Sequence, residues 1–377
     1  MSVASAPPEP AAPAAIPART RHGRGHTQRG GRLAVLDGLR FLAAMLVVSY
    51  HYMGMPNGWG HFTKKIFPTI SIPASYGWLG VELFFLISGF VICMSAWGRS
   101  LGDFFVSRVV RLYPAYWLAV LATTGVLAGW SRWDKPLPWR DVLTNLTMLQ
   151  APLGVGSVDG VYWTLWNEMM FYLLFAIVVW KGVTYRRAVL FCAIWTIASI
   201  LVSGADNPIL SNLIDPQYSS FFIGGIAFYL MYRFGQNPLL WGIVAVSFLI
   251  GQDQVYATFH HSEQLIGRTL PNWPVFGLVA FFYLLIAAVA LGWFSAIRWS
   301  WLTVAGAVTY PLYLLHEEIG WTVFRHYGHE VNPLGLVLGT AAVMVLIAWL
   351  VHRMVERPAS RALRKVLLRA ADQIRTA

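Results

Sequence analysis

The chain has 377 residues, of which 57% are hydrophobic, 15% aromatic and only 12% charged, with a formal net charge of +11. A soluble domain carries about a quarter charged residues, so this composition excludes one. The excess of base reads as a topology signal and a contact with anionic lipid, not as nucleic-acid binding, and the 2 cysteines, Cys93 and Cys192, lie in apolar runs with no CxxC spacing, which excludes a disulfide framework.

Apolar runs occur at 36–54, 77–96, 112–130, 163–180, 187–204, 218–233, 238–251, 273–293, 300–319 and 333–352. They are too long for barrel strands and lack alternation, so they predict an all-α, polytopic transmembrane bundle of about ten helices. The run at 238–251 falls short of the ~20 residues a span usually needs. With the N-terminus inside, the inner segments hold 21 of the 28 Lys and Arg residues and the outer loops 7, which predicts a multi-pass cell-membrane protein with both termini cytoplasmic. Residues 1–32, Pro/Ala-rich and then Arg/Gly/His-rich, read as a disordered cytoplasmic tail; 33–355 form the membrane domain; 356–377 form a basic interfacial helix with Leu363, Val366 and Leu367 on its apolar side.

Taken in order, the first span reads DGLRFLAAMLVVSYH. Arg40 and His51 are three helical turns plus about 20° apart, so they share a face while lying ~16 Å apart along the axis, and Asp37 falls within about 40° of His51. Ionisable groups on one stripe of an apolar span line something polar, because facing lipid costs several kcal/mol. Glu82, a little over one turn into the second span, matches His51 in depth. It either accepts a hydrogen bond from one imidazole nitrogen, leaving the other as a base, or pairs elsewhere in the bundle. Gly80, Ser88 and Gly89 suit close helix packing. Arg108 and Arg111, three apart at the mouth of the third span, read on the pair alone as positive-inside anchors; together with Arg40 they make a set of guanidiniums suited to phosphates.

The long loop 131–162 reads as a lid or as an interfacial loop held by Trp130, Trp133 and Trp139. Glu168 is expected near the outer end of the fourth span, level with His51 and Glu82. At the end of the ninth span, His316 is the candidate cavity residue, while Glu317 and Glu318 read as solvated charges. Asn145, Tyr162, Trp163 and Asn167 are candidates to orient an acceptor. His260 and His261 read as surface residues of an outer loop, and no acidic or Cys partner at ligand spacing argues for a metal.

LDGLRFLAAMLVVSYH, GVELFFLISGFVI, RVVRLYPAYW, VYWTLWNEMMFYLLF, TYPLYLLHEEIG and VERPASR, in that order over residues 33–362, resemble the integral-membrane acyltransferase family 3. The resemblance implies that Arg40 and His51 are the family's catalytic Arg-x10-His pair and that Arg108 and Arg111 are its Arg-x-x-Arg pair, implicated in acyl-CoA use. WTLWNE stands for the family's Trp-Ser-Leu-x-x-Glu, with Thr164 for Ser and Glu168 kept; GVE stands for GVD, so Glu82 is one methylene longer. The implied activity is O-acylation, from cytoplasmic acyl-CoA (acetyl-CoA by family default), of a hydroxyl on a sugar, glycolipid, polysaccharide or natural product such as a macrolide. In that chemistry His51 is the expected general base, oriented by Glu82 or Glu168, with Arg40 binding donor or stabilising charge. The competing reading is a transporter or flippase using the same charges, but no inverted repeat or paired interrupted helices support it.

Overall fold

The computed structural model describes residues 33–60, 63–131, 135–205 and 207–376. The expected tail over residues 1–32 and the Trp133 anchor lie outside them. The described residues form helices and turns and contain no strand. In chain order, apart from two four-residue helical turns at Thr63–Ile66 and Ser71–Ala74, the α-helices are α1 (Ala34–Ser49), α2 (Gly80–Ala96), α3 (Leu101–Gly129), the short α4 (Trp139–Asn145), α5 (Trp163–Trp180), α6 (Tyr185–Ser203), the short α7 (Pro208–Ile214), α8 (Ser219–Phe234), α9 (Pro238–Ile266), α10 (Trp273–Ala290), α11 (Ser300–Tyr327), α12 (Pro333–Val351) and α13 (Arg357–Thr376).

Among the described residues, 8 helices are long and apolar enough to cross a membrane: α1, α2, α3, α5, α6, α9, α10 and α12. The other two at expected spans are α8 and α11. α8 has only 16 residues, and every one from Ser219 to Met231 is buried, as expected of a helix that is apolar all round and sits inside a bundle. α11 has 28 residues but breaks its apolar run with His316, Glu317 and Glu318. These two, with α1 and α2, make the packed centre: α2 lies on α8, and α1 lies between α2 and α11. The α2–α8 approach is backbone to backbone, since a Cβ on Gly89 would stand 2.1 Å from the Phe222 carbonyl oxygen and one on Gly225 2.1 Å from that of Leu86.

The boundaries differ most from the sequence expectation at α3 and α9, and α11 runs on to Tyr327 past the expected end at 319. α3 starts at Leu101, where the Ser100 hydroxyl accepts from the Asp103 amide, so Arg108 and Arg111 sit about two turns inside a helix and not in a loop at its mouth. α9 continues to Ile266 through the polar stretch Gln252–Gln254, which makes His260 and His261 helical.

α1 and α11 run parallel, with Asp37 against Gly306 and His51 against His316. The arginine end and the histidine end of the site therefore belong to opposite ends of the same helix pair. α12 returns to the arginine end, where α13 packs on α3. Pro114, inside α3, has no amide proton to donate to the carbonyl of Val110, and the Ser360 hydroxyl of α13 donates to that oxygen instead (2.7 Å).

Candidate functional site

α1 widens into a π-helical segment at Tyr50–Gly54, and His51 is its second residue. Such widenings recur at functional sites because they leave backbone groups to be satisfied from outside the helix. Here the Trp321 indole donates to the His51 carbonyl (3.0 Å), the Tyr52 hydroxyl to the His316 carbonyl (2.9 Å) and the Trp59 indole to the Tyr52 carbonyl (2.8 Å). The imidazole of His51 is thereby fixed against α11, with the Trp321 ring edge-on at 6.0 Å.

The tautomers follow from partner chemistry. His316 Nδ1 lies 2.9 Å from the Tyr313 carbonyl, which only accepts, so Nδ1 carries the proton and Nε2 is a bare acceptor. His51 Nδ1 lies 2.8 Å from that Nε2 and must be the donor. Neutral His51 then holds its lone pair on Nε2, which faces Glu317 Oε1 at 3.6 Å.

Two cavities meet along this wall. A chamber of about 380 Å³ is lined by His51, Glu82, Glu317, Tyr50, Trp163 and Tyr218, among others. A narrow slot of about 80 Å³ is lined by Arg40, Arg111, Glu168, Ser88, Thr164, Thr309 and Tyr310. Val81 and Tyr313 line both, so they stand at the junction. The Tyr313 hydroxyl is 3.0 Å from the Thr164 hydroxyl, tying α11 to α5 there.

The sequence-derived residues divide between these spaces. Glu82 shares the chamber with His51, and its Oε2 has no hydrogen-bond partner among the described residues. Glu168 lies in the slot with Arg40, accepting from Ser88 (3.1 Å), and not beside His51. Glu168 turns to the slot and Glu82 to the chamber, so the expected common level does not bring the two carboxyls together around His51. Arg111 reaches the slot. Arg108 packs between the Phe104 and Tyr172 rings, 5.9 and 5.7 Å from their centres, and donates to Ser95 (3.2 Å), with Nη1 lacking a partner among the described residues.

His316 is fully buried behind His51 and lines neither cavity. Asn145 is committed to the 131–162 loop: its amide nitrogen donates to the Asp141 and Gly156 carbonyls, and its oxygen accepts from the Val158 amide. Trp163 and Asn167 line a third cavity beside the chamber. His261, read from sequence as a surface residue, lines the chamber's rim.

Sequence reasoning missed Glu317 and Asp159. Glu317 is only 5% exposed, because the loop before α5 folds over the middle of α11 and inserts Asp159 beside it. The Asp159 carboxylate accepts from the amides of Val161 (3.2 Å) and Glu318 (3.3 Å). Burial pushes the Asp159 carboxyl above its ordinary value, with the Glu317 contact and these amides acting in the opposite direction. Gly160 presses so closely on Glu317 that a Cβ there would lie 2.7 Å from Oε2. One signal was available: Tyr310, Tyr313 and Glu317 recur at i, i+3 and i+7, a single helical face. No group of three His, Cys, Asp or Glu able to hold a metal occurs among the described residues.

The fold and these cavities define a multi-pass membrane protein with a polar interior running along one helix pair. Residues 33–353 match the acyltransferase 3 family, described as an acyltransferase domain, and the chain belongs to that family of membrane O-acyltransferases. It is 26% identical over 387 aligned residues to the acyltransferase MdmB of Streptomyces mycarofaciens, covering 88% of this chain and 92% of that one. It is 25% identical to a putative acetyltransferase, ORF330, of Acidianus two-tailed virus (80% and 86% covered) and 28% identical to the O-acetyl transferase of Shigella phage Sf6 (45% and 53% covered). No solved structure matches the chain.

Proposed function

We propose that this protein transfers an acyl group, acetyl or another short chain, from cytoplasmic acyl-CoA to a hydroxyl of a sugar-bearing acceptor, with His51 as general base. The observation that carries this reading is the hydrogen-bond chain from the Tyr313 carbonyl through His316 to His51, which leaves the His51 lone pair on Nε2 in an acid-lined chamber.

The acceptor hydroxyl gives its proton to His51 Nε2 as its oxygen attacks the thioester carbonyl. The C–S bond then breaks, and the imidazolium returns the proton to the departing sulfur. The imidazolium keeps its Nδ1–H bond to His316, and Glu317, at 3.6 Å from Nε2, is the nearest carboxyl to offset the new charge. Glu82 faces the same chamber and helps hold the acceptor. Arg40 and Arg111 hold donor anionic groups in the slot, and Arg108 reinforces that end of it; Glu168 and Ser88 keep Arg40's surroundings polar. The slot's narrowness suits an extended pantetheine arm, and the ~16 Å rise from Arg40 to His51 is of that arm's length.

The 21-to-7 distribution of basic residues supports the arginine end, where α13 lies, as the cytoplasmic one. Residues 33–355 then act as the catalytic domain, and residues 356–377 as a basic helix at the inner lipid surface. The test is mass spectrometry of extracts from cells making the wild-type chain, the His51→Ala chain or neither. An acyl-sized mass increment on a glycosylated product only with wild type is expected; the same increment with His51→Ala refutes the assignment.

A further inference from the structure

A cavity of about 490 Å³ adjoins the reaction chamber and shares Trp163, Gln217 and Tyr218 with it. One side is α7. Pro208, Ser211, Asn212 and Asp215 line the cavity, and their spacing of i, i+3, i+4 and i+7 is one helical face. The residues between them, Ile209, Leu210 and Leu213, are 79%, 42% and 39% exposed. α7 therefore turns its polar side inward and its apolar side outward, the arrangement of a helix lying in a membrane interface.

The lining chemistry is uniform in kind. Trp163 offers an aromatic face, 39% exposed, held by the Tyr218 ring at 5.2 Å. Asn167, from α5, and Asn212 add carboxamides. Gln217 spends its amide nitrogen on Tyr218 and Thr258, which leaves its carbonyl oxygen. Asp215 sits at φ 52°, a left-handed conformation uncommon for a side-chain-bearing residue, and its Oδ2 has no partner among the described residues. Its backbone carbonyl accepts from the Tyr218 and Ser219 amides, which starts α8. An aromatic face beside several amide and carboxyl groups matches a ring with one C–H face and a rim of hydroxyls. The volume is within the range of small-molecule sites.

We propose that this cavity is a glycosyl subsite: it holds a sugar ring of the acceptor against Trp163, with Asp215 and Asn167 on its hydroxyls and Asn212, whose amide nitrogen donates to the Pro208 carbonyl, only bordering it, and so presents the neighbouring hydroxyl to His51. The proposal rests on the acyl-transfer reading only for the identity of that hydroxyl's fate.

Cys93 and Cys192 are buried, so a thiol introduced by Asn212→Cys at this exposed position is the reactive one. The full-length Asn212→Cys chain in lipid nanodiscs, treated with a charged maleimide, gives a labelling rate. Methyl α-D-glucopyranoside, methyl β-D-galactopyranoside and methyl α-L-rhamnopyranoside are the probes, with glycerol 3-phosphate as the headgroup control. At least one glycoside is expected to slow labelling five-fold or more and saturably, and Trp163→Ala in the same background is expected to abolish that protection without changing the sugar-free rate. Absence of protection by all three glycosides, protection that survives Trp163→Ala, or protection by glycerol 3-phosphate in their place overturns the proposal. Adding His51→Ala leaves protection intact if the subsite is correct, whatever that variant does to acyl transfer, so the two readings fail separately.

Discussion

Removing His316 tests how the base is made. His316→Ala deletes the acceptor for the His51 Nδ1–H bond, which spans 2.8 Å between two buried rings. Leaving a buried donor unsatisfied costs about 1–3 kcal/mol. If that penalty falls on the productive tautomer, kcat drops by roughly 5- to 150-fold at 1.36 kcal/mol per decade. KM for the acyl donor stays near the wild-type value, because His316 lines neither the slot nor the chamber. His316→Gln restores a carbonyl oxygen near the position of Nε2 and recovers a substantial part of the rate. The assay is acyl-CoA-dependent thiol release by nanodisc-reconstituted enzyme with extract from producing cells as acceptor. Equal impairment by Ala and Gln, or no impairment by Ala, refutes the tautomer argument.

Gly160→Ala puts a methyl group within 3 Å of both Glu317 carboxylate oxygens; transfer is expected to fall at least about ten-fold with little change in thermal stability, measured on the same preparation. Ser360→Ala leaves the Val110 carbonyl without its donor and is expected to cost about 1 kcal/mol, seen as a lower melting temperature in detergent with the rate per folded molecule unchanged. Burial raises the Asp215 carboxyl to about 7 from an ordinary value of 3.8. The folded state thus binds more protons than the unfolded chain across that window, so the Asp215 contribution to stability declines as pH rises from about 4 to about 7. Asp215→Asn is expected to flatten that part of the melting temperature's pH profile; an unchanged slope refutes the assignment to Asp215.

The helical period predicts Arg40 and His51 on one face, and they line the adjoining slot and chamber; the π-helical widening that carries His51 has no such local signal. The division of the acidic residues was not legible. Glu317 looked like a span-end charge because its burial depends on a loop some 160 residues earlier in sequence folding over it, and no local pattern carries that information. Glu168 is expected beside His51 from depth alone, and depth along a span does not say which face of α5 turns inward; that face opens on the slot. The apolar run beginning at Leu112 sets Arg108 and Arg111 at the mouth of the third span, and the charged stretch before it masks the Ser100 cap that starts α3. For α9, the polar Gln252–Gln254 segment broke the apolar run without breaking the helix, and so His260 and His261 were read as loop residues. The VERPASR segment carried a structural meaning visible only in three dimensions: its serine answers the carbonyl that Pro114 leaves open.

The most direct measurement of the central claim is the single-turnover rate of acyl transfer by purified, reconstituted His51→Gln alongside wild type, with donor binding measured on the same samples. The predicted result is a loss of about 100-fold or more in transfer with acyl-CoA affinity preserved, the size expected when a general base is removed and the arginine slot is left intact. Transfer by His51→Gln within about two-fold of wild type contradicts it.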